Sequence, residues 1–303
     1  MSHVPLPPYQ KPWLSCADQV AQLTARGLVV AAPAAAEQFL SHVNYYRFSG
    51  YCLAFEQQRH KFIAGTTFDQ VRAAYDFDLL LRDMVTEALE IVEVDMRACV
   101  AHHFGQQHGA FGHVNPAIFF HRFDHADWLK RLREEATRSS ELFVQHFRAS
   151  YSQFPDLPVW AVTEIMSFGA LSIMFKGMVK SDQKVIAARY SLQPDEMRSW
   201  MHHLVYVRNL CAHHSRLWDR VYAIKPLLPR ARNWQPPVVP RNDRLWATLL
   251  ALYHLMRRCH AIGSFATDWR DRVNAHMNAP PTATNPLAAM GMPPNWNTNP
   301  IWI

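Results

Sequence analysis

Four residues of one short segment are of types that can act together on a phosphate ester. The string "RNLCAHHSRLW" places Arg208, Asn209, His213 and His214 within seven residues. Histidine takes and gives protons near neutral pH, and the planar guanidinium of arginine fits a phosphate group. Asparagine can orient an imidazole or donate to a phosphoryl oxygen. This set suffices for metal-free RNA cleavage, in which the 2′-hydroxyl attacks the adjacent phosphate.

The spacing of these residues limits how they can cooperate. Asn209 and His213 are four residues apart and share one face of a helix. Arg208 and His213 are five apart, so on an ideal helix they point roughly 140° away from each other. Either the helix bends here or two copies of the chain combine. Taken alone, this spacing favours a capped helix end over a catalytic site, because cations are favoured there.

The rest of the chain predicts a helical fold that would position this segment. The 303 residues are 49% hydrophobic and include only 10 glycines. Apolar residues recur at steps of three and four, whereas regularly spaced short alternating segments do not occur. The sequence therefore predicts an all-α protein with a sizeable buried core.

Apolar periodicity and capping residues indicate where the helices lie. We expect short helices at 15–28 and about 34–43, and longer ones at about 69–104, 125–150 and 158–179 and at 243–262. A further helix is capped by "SLQPDEM" (191–197) and carries the motif at its C-terminal end. The helix at 158–179 is apolar nearly all round, as the centre of a bundle would be. The helix that carries the motif has a predicted core face of Met197, Trp200, Leu204, Val207 and Cys211.

Composition also suggests how the chain is organised. Residues 1–66 are predicted to form an N-terminal helical and extended appendage, and residues 67–276 a helical bundle. The tail at 277–303 is rich in Pro, Asn and Met, so we expect it to be ordered by docking on the bundle.

Positive charge is concentrated at and beyond the motif. The net charge is +6, yet residues 208–303 contain 12 Lys and Arg against four acidic residues, which gives +8. Residues 1–207 contain 19 against 21, which gives −2. A basic region beside acid/base residues favours a polyanionic partner, of which RNA and DNA are the commonest. A solvated basic surface explains the same excess equally well.

Several features favour a cytoplasmic protein without a membrane segment. The start "MSHVPLPPYQKP" has no secretory pattern. Five scattered cysteines without a CxxC motif favour a reducing compartment. The stretch 157–175 approaches membrane length, but Glu164 lies within it, so a buried helix is the better interpretation.

Paired histidines raise the alternative of a metal site. The pairs are His102–His103, His121–His125 and His202–His203. Only His121 and His125 have the helical ligand spacing, and the first is not followed by the glutamate of zinc proteases. We expect neither a metal nor another cofactor. The sequence contains no Gly-rich phosphate loop, which argues against an ATPase or GTPase.

The motif resembles the RN-x3-H signature of HEPN-domain ribonucleases. It is more closely similar to the RN-x-CAHH-x-RLW-x-R form of the Abi-like family of phage-defence proteins. Five further segments resemble that family in the same order: "YQKPWLSCADQVAQLTARGLVV" (9–30), "HVNYYRFSGYCLAF" (42–55), "IVEVDMRA" (91–98), "LPVWAVTEIMSFGALS" (157–172) and "MGMPPNW" (290–296).

The resemblance implies an all-α HEPN-type bundle and a metal-independent endoribonuclease that acts as a toxin in abortive infection. HEPN nucleases usually build their site from two domains, and this chain has one motif, so a homodimer is implied. By position, Arg208 would hold the phosphate, Asn209 would support it, and His213 would be the general acid and base. Secondary RNA-binding candidates are His214, Arg216, Glu93, Arg97, Tyr46 and Arg47.

Structural alternatives exist for the secondary candidates. Glu93 and Arg97 are four apart and also fit an ion pair on one helix. The aromatic residues around Tyr46 could stack on bases, or they could join the appendage to the bundle. Two other functions stay open for the whole chain. One is a non-catalytic RNA-binding module of a defence system. The other is a toxin–antitoxin interaction protein, neutralised by an antitoxin RNA or protein, whose R-x4-H is structural.

Overall fold

Helices form most of the structure, a computed structural model that describes residues 8–259, 263–283 and 285–303. The predicted all-α class is confirmed. Extended pairing between strands is limited to a short antiparallel hairpin in which Glu56 pairs with Phe62. Residues 1–7 of the predicted N-terminal appendage lie outside the described residues. No described helix combines the length and the apolar composition that a membrane crossing requires.

The elements follow one another along the chain with short connections. The N-terminal part contains α1 (Cys16–Ala25), α2 (Pro33–His42), α3 (Tyr45–Cys52), β1 (Glu56–Gln58) and β2 (Lys61–Phe62). The helices that follow are α4 (Phe68–His108), α5 (His125–Arg138), α6 (Leu142–Ser150), α7 (Val159–Ile165), α8 (Phe168–Gly177), α9 (Lys180–Arg189), α10 (Pro194–Ala212), α11 (Leu245–Met256), α12 (Phe265–Met277) and α13 (Pro286–Ala289).

The chain divides into two compact units. One comprises Met1–Leu79 and Pro280–Pro286, and the other comprises Leu80–Ala279 and Leu287–Ile303. The predicted segments 1–66, 67–276 and 277–303 stay a prediction about domains.

Aromatic packing holds the first unit together. Phe48 stacks on Phe68 with ring centroids 4.8 Å apart. The hydroxyl of Tyr51 donates to a buried Asp78 carboxylate oxygen at 2.6 Å. A buried carboxylate is costly unless it is hydrogen-bonded, so this contact fixes α3 against the first turns of α4.

The second unit is built around α10 and α11. The five predicted core residues of α10 are all buried, which confirms its inward face. The sequence of α11, "LWATLLALYHLM", is buried nearly all round. Two polar contacts tie the C-terminal segment to this unit: Trp302 Nε1 donates to Asn274 Oδ1 at 2.6 Å, and Asn299 Nδ2 donates to the Val238 carbonyl at 3.0 Å.

Two long helices that the sequence predicted are each broken in the structure. The helix expected at 125–150 is α5 and α6, because Ser139 has an extended backbone. The helix expected at 158–179 is α7 and α8, because Ser167 turns out of the helix and caps α8 by accepting from the Ala170 N–H at 3.1 Å. It is also not buried all round, since Trp160 and Ile173 are exposed.

Four helices have no counterpart in the prediction, and one of them is the short α13 in the tail. Helix α3 begins at an Asn44 cap and continues through Gly50. Helix α9 buries the polar residues Asp182 and Gln183, so its sequence lacks an apolar stripe. Helix α12 occupies part of the stretch left unassigned before the tail. The helices expected at 15–28 and 34–43 correspond to α1 and α2. The one at 243–262 corresponds to α11, and residues 260–262 lie outside the described residues.

Burial of three histidines makes stability depend on pH. Burial lowers the pKa of His113, His203 and His254 from 6.5 to about 4. Below pH 6.5 these imidazoles become protonated in the unfolded chain but stay neutral in the folded protein. The contribution of each one to the free energy of unfolding is therefore full above pH 6.5 and is lost as the pH falls towards 4. The loss is about 3 kcal/mol for each histidine. We expect the free energy of unfolding, measured with urea, to fall steeply between pH 6.5 and 4.

The variant His203→Gln separates one of these contributions. It should be less stable than the wild type at pH 7.5 and should lose less stability on acidification, because one of the three buried imidazoles is gone. His202→Gln, at an exposed neighbouring position, is the control and should keep the wild-type pH dependence. Equal slopes for all three proteins would contradict the assignment.

Candidate active site

Helix α10 is a firmly fixed platform for the motif. Pro194 occupies its first turn, and Gln193 and Glu196 form a reciprocal capping box in which the Gln193 N–H donates to Glu196 Oε2 at 2.7 Å. On its inner face, Trp200 Nε1 donates to the Leu227 carbonyl at 2.7 Å. Further along, His203 Nδ1 donates to the Ile224 carbonyl at 2.7 Å. These contacts fix the orientation of the motif residues that follow.

The motif forms the C-terminal cap of this helix. The His214 N–H donates to the Cys211 carbonyl at 2.9 Å, and the Ser215 N–H donates to the Leu210 carbonyl at 2.8 Å. This pair of bonds is a Schellman motif. It requires a left-handed residue, and His214 supplies it with φ of +52°. Glycine is the usual residue there, so a histidine implies backbone strain of about 1 kcal/mol.

The residues after the cap anchor the chain in the core. Leu217 and Trp218 are fully buried. Arg220 Nε donates to the Arg216 carbonyl at 2.6 Å. Arg244 pairs with Asp219 at 3.1 Å. Burial of Leu217 and Trp218 in the "RLW" part of the motif therefore fixes the chain directly after the cap of α10.

The three residues with the strongest chemical potential face outwards from this platform. Arg208, Asn209 and His213 are all exposed. Within the part of the chain that the structure describes, their side chains form no hydrogen bond or ion pair with other residues. His213 follows the last residue of α10 with φ −91° and ψ 12°. The helix thus continues to this point without the bend that would bring Arg208 and His213 onto one face.

Glu93 and Arg97 form a structural contact. They pair with each other on α4, with side chains that are 14% and 18% exposed. The Arg97 guanidinium also donates to the carbonyl of Glu164 at 3.0 Å and to that of Met166 at 2.8 Å. These carbonyls lie at the break between α7 and α8, so Arg97 satisfies groups that the interrupted helix leaves without partners. In the described residues no hydrogen bond or ion pair joins this pair to the motif.

The aromatic candidates lie in the first unit, apart from the motif in sequence. Tyr46 is 72% exposed, whereas Phe48 is fully buried. The Tyr46 N–H donates to the Asn44 cap at 2.8 Å. Arg47 is half-buried on the same helix. Exposure leaves the Tyr46 ring accessible to a ligand, and the role of Tyr46 and Arg47 in RNA binding stays a prediction.

The histidine pairs have individual structural environments. His203 is buried, and its Nε2 accepts from the Thr248 hydroxyl at 2.8 Å. His121 precedes α5, which begins at His125, so these two residues do not share a helix as their spacing suggested. His125 Nε2 donates to the His113 carbonyl at 2.8 Å. Among the described residues no group of three or more His, Cys, Asp or Glu side chains could hold a metal ion.

A cluster around Asp182 escaped the sequence analysis. The Asp182 carboxylate is nearly buried and accepts from His103 Nε2 at 3.0 Å and from His108 Nε2 at 2.9 Å. It joins α4 to α9 across more than 70 residues of sequence. No local sequence signal links residues that far apart. The cluster uses the histidine of "AHHF" that faces inwards, while its neighbour His102 is exposed.

Ion pairs remove part of the positive charge beyond the motif. Asp219 pairs with Arg244, Asp243 with Arg241, and Asp271 with Arg270. Arg208 lies outside these pairs, as do the exposed residues Arg230 and Arg232. The basic excess that remains is therefore displayed to solvent, and one of its charges belongs to the motif.

Comparison with known proteins gives a family match. A family model described as "Abi-like protein" matches residues 38–219, more than half of the chain. The match includes α3, the α4 pair of Glu93 and Arg97, the break between α7 and α8, and the motif from Arg208 to Asp219. Searches of curated proteins and of solved structures returned no match.

The contacts of Arg97 predict a structural role for this residue. Arg97→Met keeps much of the side-chain volume but leaves the carbonyls of Glu164 and Met166 without their donor. We expect it to lower the free energy of unfolding by about 2–4 kcal/mol, since buried partners of a charged donor are left unsatisfied.

Urea unfolding of Arg97→Met measures this effect, with Arg72→Met as the control. Arg72 is also a helical arginine with an i,i+4 partner, Asp76, but that pair is exposed. The control should change stability by less than about 1 kcal/mol. An Arg97 variant as stable as the control would contradict the structural role and return the residue to the list of ligand-binding candidates.

Proposed function

The chain belongs to the Abi-like protein family, and from this premise we propose that it is a metal-independent endoribonuclease of abortive-infection defence. It cleaves RNA by attack of the 2′-hydroxyl on the adjacent phosphate, and it acts in the cytoplasm as a toxin. The HEPN-type assignment of its helical bundle is part of this proposal.

One observation carries the proposal. Arg208, Asn209 and His213 stand exposed at the end of a rigid buried helix, and none of them has a partner among the described residues. Arg133 of the same unit, by contrast, holds Asp156 through two bonds of 2.6 and 2.8 Å. A fixed backbone with free polar side chains suits a site whose partner is an external ligand.

Each side chain has a defined role in the proposed reaction. The imidazole of His213 takes the proton of the 2′-hydroxyl and can return a proton to the leaving 5′-oxygen. The Arg208 guanidinium stabilises the negative charge that builds on the phosphoryl oxygens. Asn209 lies one helical turn before His213 and can orient its ring or the phosphate. His214 and Arg216 are secondary contacts to the same RNA.

Cleavage experiments with three variants test this mechanism. We expect the wild type to cut single-stranded RNA in the presence of EDTA, to leave 2′,3′-cyclic phosphate and 5′-hydroxyl ends, and to spare DNA, which lacks the attacking hydroxyl. His213→Ala should lower the rate at least 100-fold, because general acid and base catalysis is lost. Arg208→Lys keeps the charge but loses the two-pronged fork, so its rate should also fall steeply. His202→Ala, an exposed histidine on the same helix, is the control and should cut normally.

The possible results separate the candidate functions. Wild-type protein that binds RNA tightly without cutting it would support the non-catalytic RNA-binding function. A His213→Ala effect confined to the melting temperature would support the structural one. A requirement for divalent metal, or products with 3′-hydroxyl ends, would overturn the mechanism.

We expect the active form to be a homodimer. Arg208 and His213 lie on different faces of a straight helix, so one copy cannot direct both side chains at the same phosphate. In a dimer, one copy can supply Arg208 and the other His213. Light scattering at micromolar concentration should give twice the 35.0 kDa mass of the chain.

Mixed dimers test whether the two copies share the site. Arg208→Ala and His213→Ala proteins, each inactive alone, should regain part of the wild-type activity when they are co-expressed. The matched control is co-expression of two His213→Ala chains that carry different tags. This pair should stay inactive. A monomer that cuts RNA would exclude the shared site.

A further inference from the structure

A cavity of about 650 Å³ lies between α5, α8 and the segment that precedes α5. Its floor is formed by the small residues Gly169 and Ala170 of α8. Trp128, a buried residue of α5, forms one wall and donates from Nε1 to the Ala170 carbonyl at 3.3 Å. The volume is typical of a pocket for a small molecule or for one unit of a polymer.

An exposed aromatic ring lines the opening of this cavity. Phe120 is 48% exposed, although its backbone is fixed by the bond from its N–H to the Gly177 carbonyl at 2.8 Å. Phe123 lies flat over Gly177, where an added β-carbon would be 2.6 Å from its Cγ. A rigid backbone that holds a phenylalanine ring in water suits stacking on a flat ligand, because little order is lost on binding.

The charges around the cavity leave cations available. Its lining contains three basic and three acidic residues. Two of the acidic ones are engaged: Asp127 pairs with Arg131 at 3.0 Å, and Asp124 caps α5 by accepting from the Asp127 N–H at 3.1 Å. The third, Glu135, has a buried carboxylate oxygen. Arg122 and Lys176 are exposed and have no partner among the described residues.

Helix α8, which lines the cavity, also packs against α10, the helix that carries the motif. A β-carbon built on Gly169 of α8 would lie 3.8 Å from Cγ1 of Val205. Val205 precedes Asn209 on α10 by one helical turn, about 6 Å along the axis.

We infer that this cavity binds one unpaired base of single-stranded RNA, which stacks on Phe120 while Lys176 and Arg122 contact the adjoining phosphates. The inference rests on the proposed function and names its substrate class: an RNA segment that is single-stranded beside the cleaved bond. A paired base cannot enter, because the cavity between two helices does not admit a duplex.

Binding assays in a His213→Ala background test this subsite without cleavage. The probes are a fluorescein-labelled 12-nucleotide single-stranded RNA and the same strand in a perfect duplex, both followed by anisotropy. Phe120→Ala should weaken single-strand binding roughly tenfold, since stacking of one base is lost, and should leave duplex binding unchanged. Phe120→Trp should retain single-strand binding. Gly169→Met, which adds a large side chain to a residue that lines the cavity, should weaken it as Phe120→Ala does.

A matched control and two contrary outcomes make the result decisive. Phe143→Ala removes a ring that is 41% exposed on α6, outside this cavity, and should bind both probes as the background protein does. Unchanged single-strand affinity in both Phe120→Ala and Gly169→Met would overturn the inference. The cavity would then bind another ligand, such as a protein. This result would not contradict the proposed cleavage. Absence of RNA binding in the background protein would instead overturn the proposed function along with it.

Discussion

The last carbonyl groups of α10 must find donors before the chain can leave the helix, and the motif is built around this need. His214 adopts a left-handed conformation, which lets the amides of His214 and Ser215 reach back to the helix. Leu217 and Trp218 then enter the core. Because the turn is held from both sides, Arg208, Asn209 and His213 are presented at fixed positions on the surface. The candidate chemistry therefore depends on a helix cap.

The same principle operates at the break between α7 and α8. An interrupted helix leaves carbonyls without donors, and Arg97 reaches across from α4 to satisfy two of them, with Glu93 balancing its charge. Both charged residues belong to the region that matches the family. Arg97, paired with Glu93, thus has a structural role, whereas Arg208 has no partner among the described residues and is free for a ligand. Both residues are arginines, so their partners and not their residue type distinguish the two roles.

Asymmetry of charge connects the two proposals. Ion pairs neutralise several cations beyond the motif, and Arg208 is left available. Around the cavity, the carboxylates are paired, cap a helix or are buried. Arg122 and Lys176 are exposed there and have no partner among the described residues. A polyanion that extends from Arg208 towards Phe120 would meet unpaired cations at both ends. Single-stranded RNA supplies both the phosphates and the flat bases that such a surface accommodates.

Apolar periodicity and residue types are local properties of a sequence, so the sequence alone predicted the helical class, the inward face of α10 and the motif. It did not predict the breaks at Ser139 and Ser167, because the helical pattern continues across both serines and does not show that the backbone leaves the helix there. Nor could it place His103 and His108 around Asp182, or Phe120 beside α8. Those contacts join residues far apart in the chain, and only tertiary packing decides which distant side chains meet and which remain exposed to a ligand.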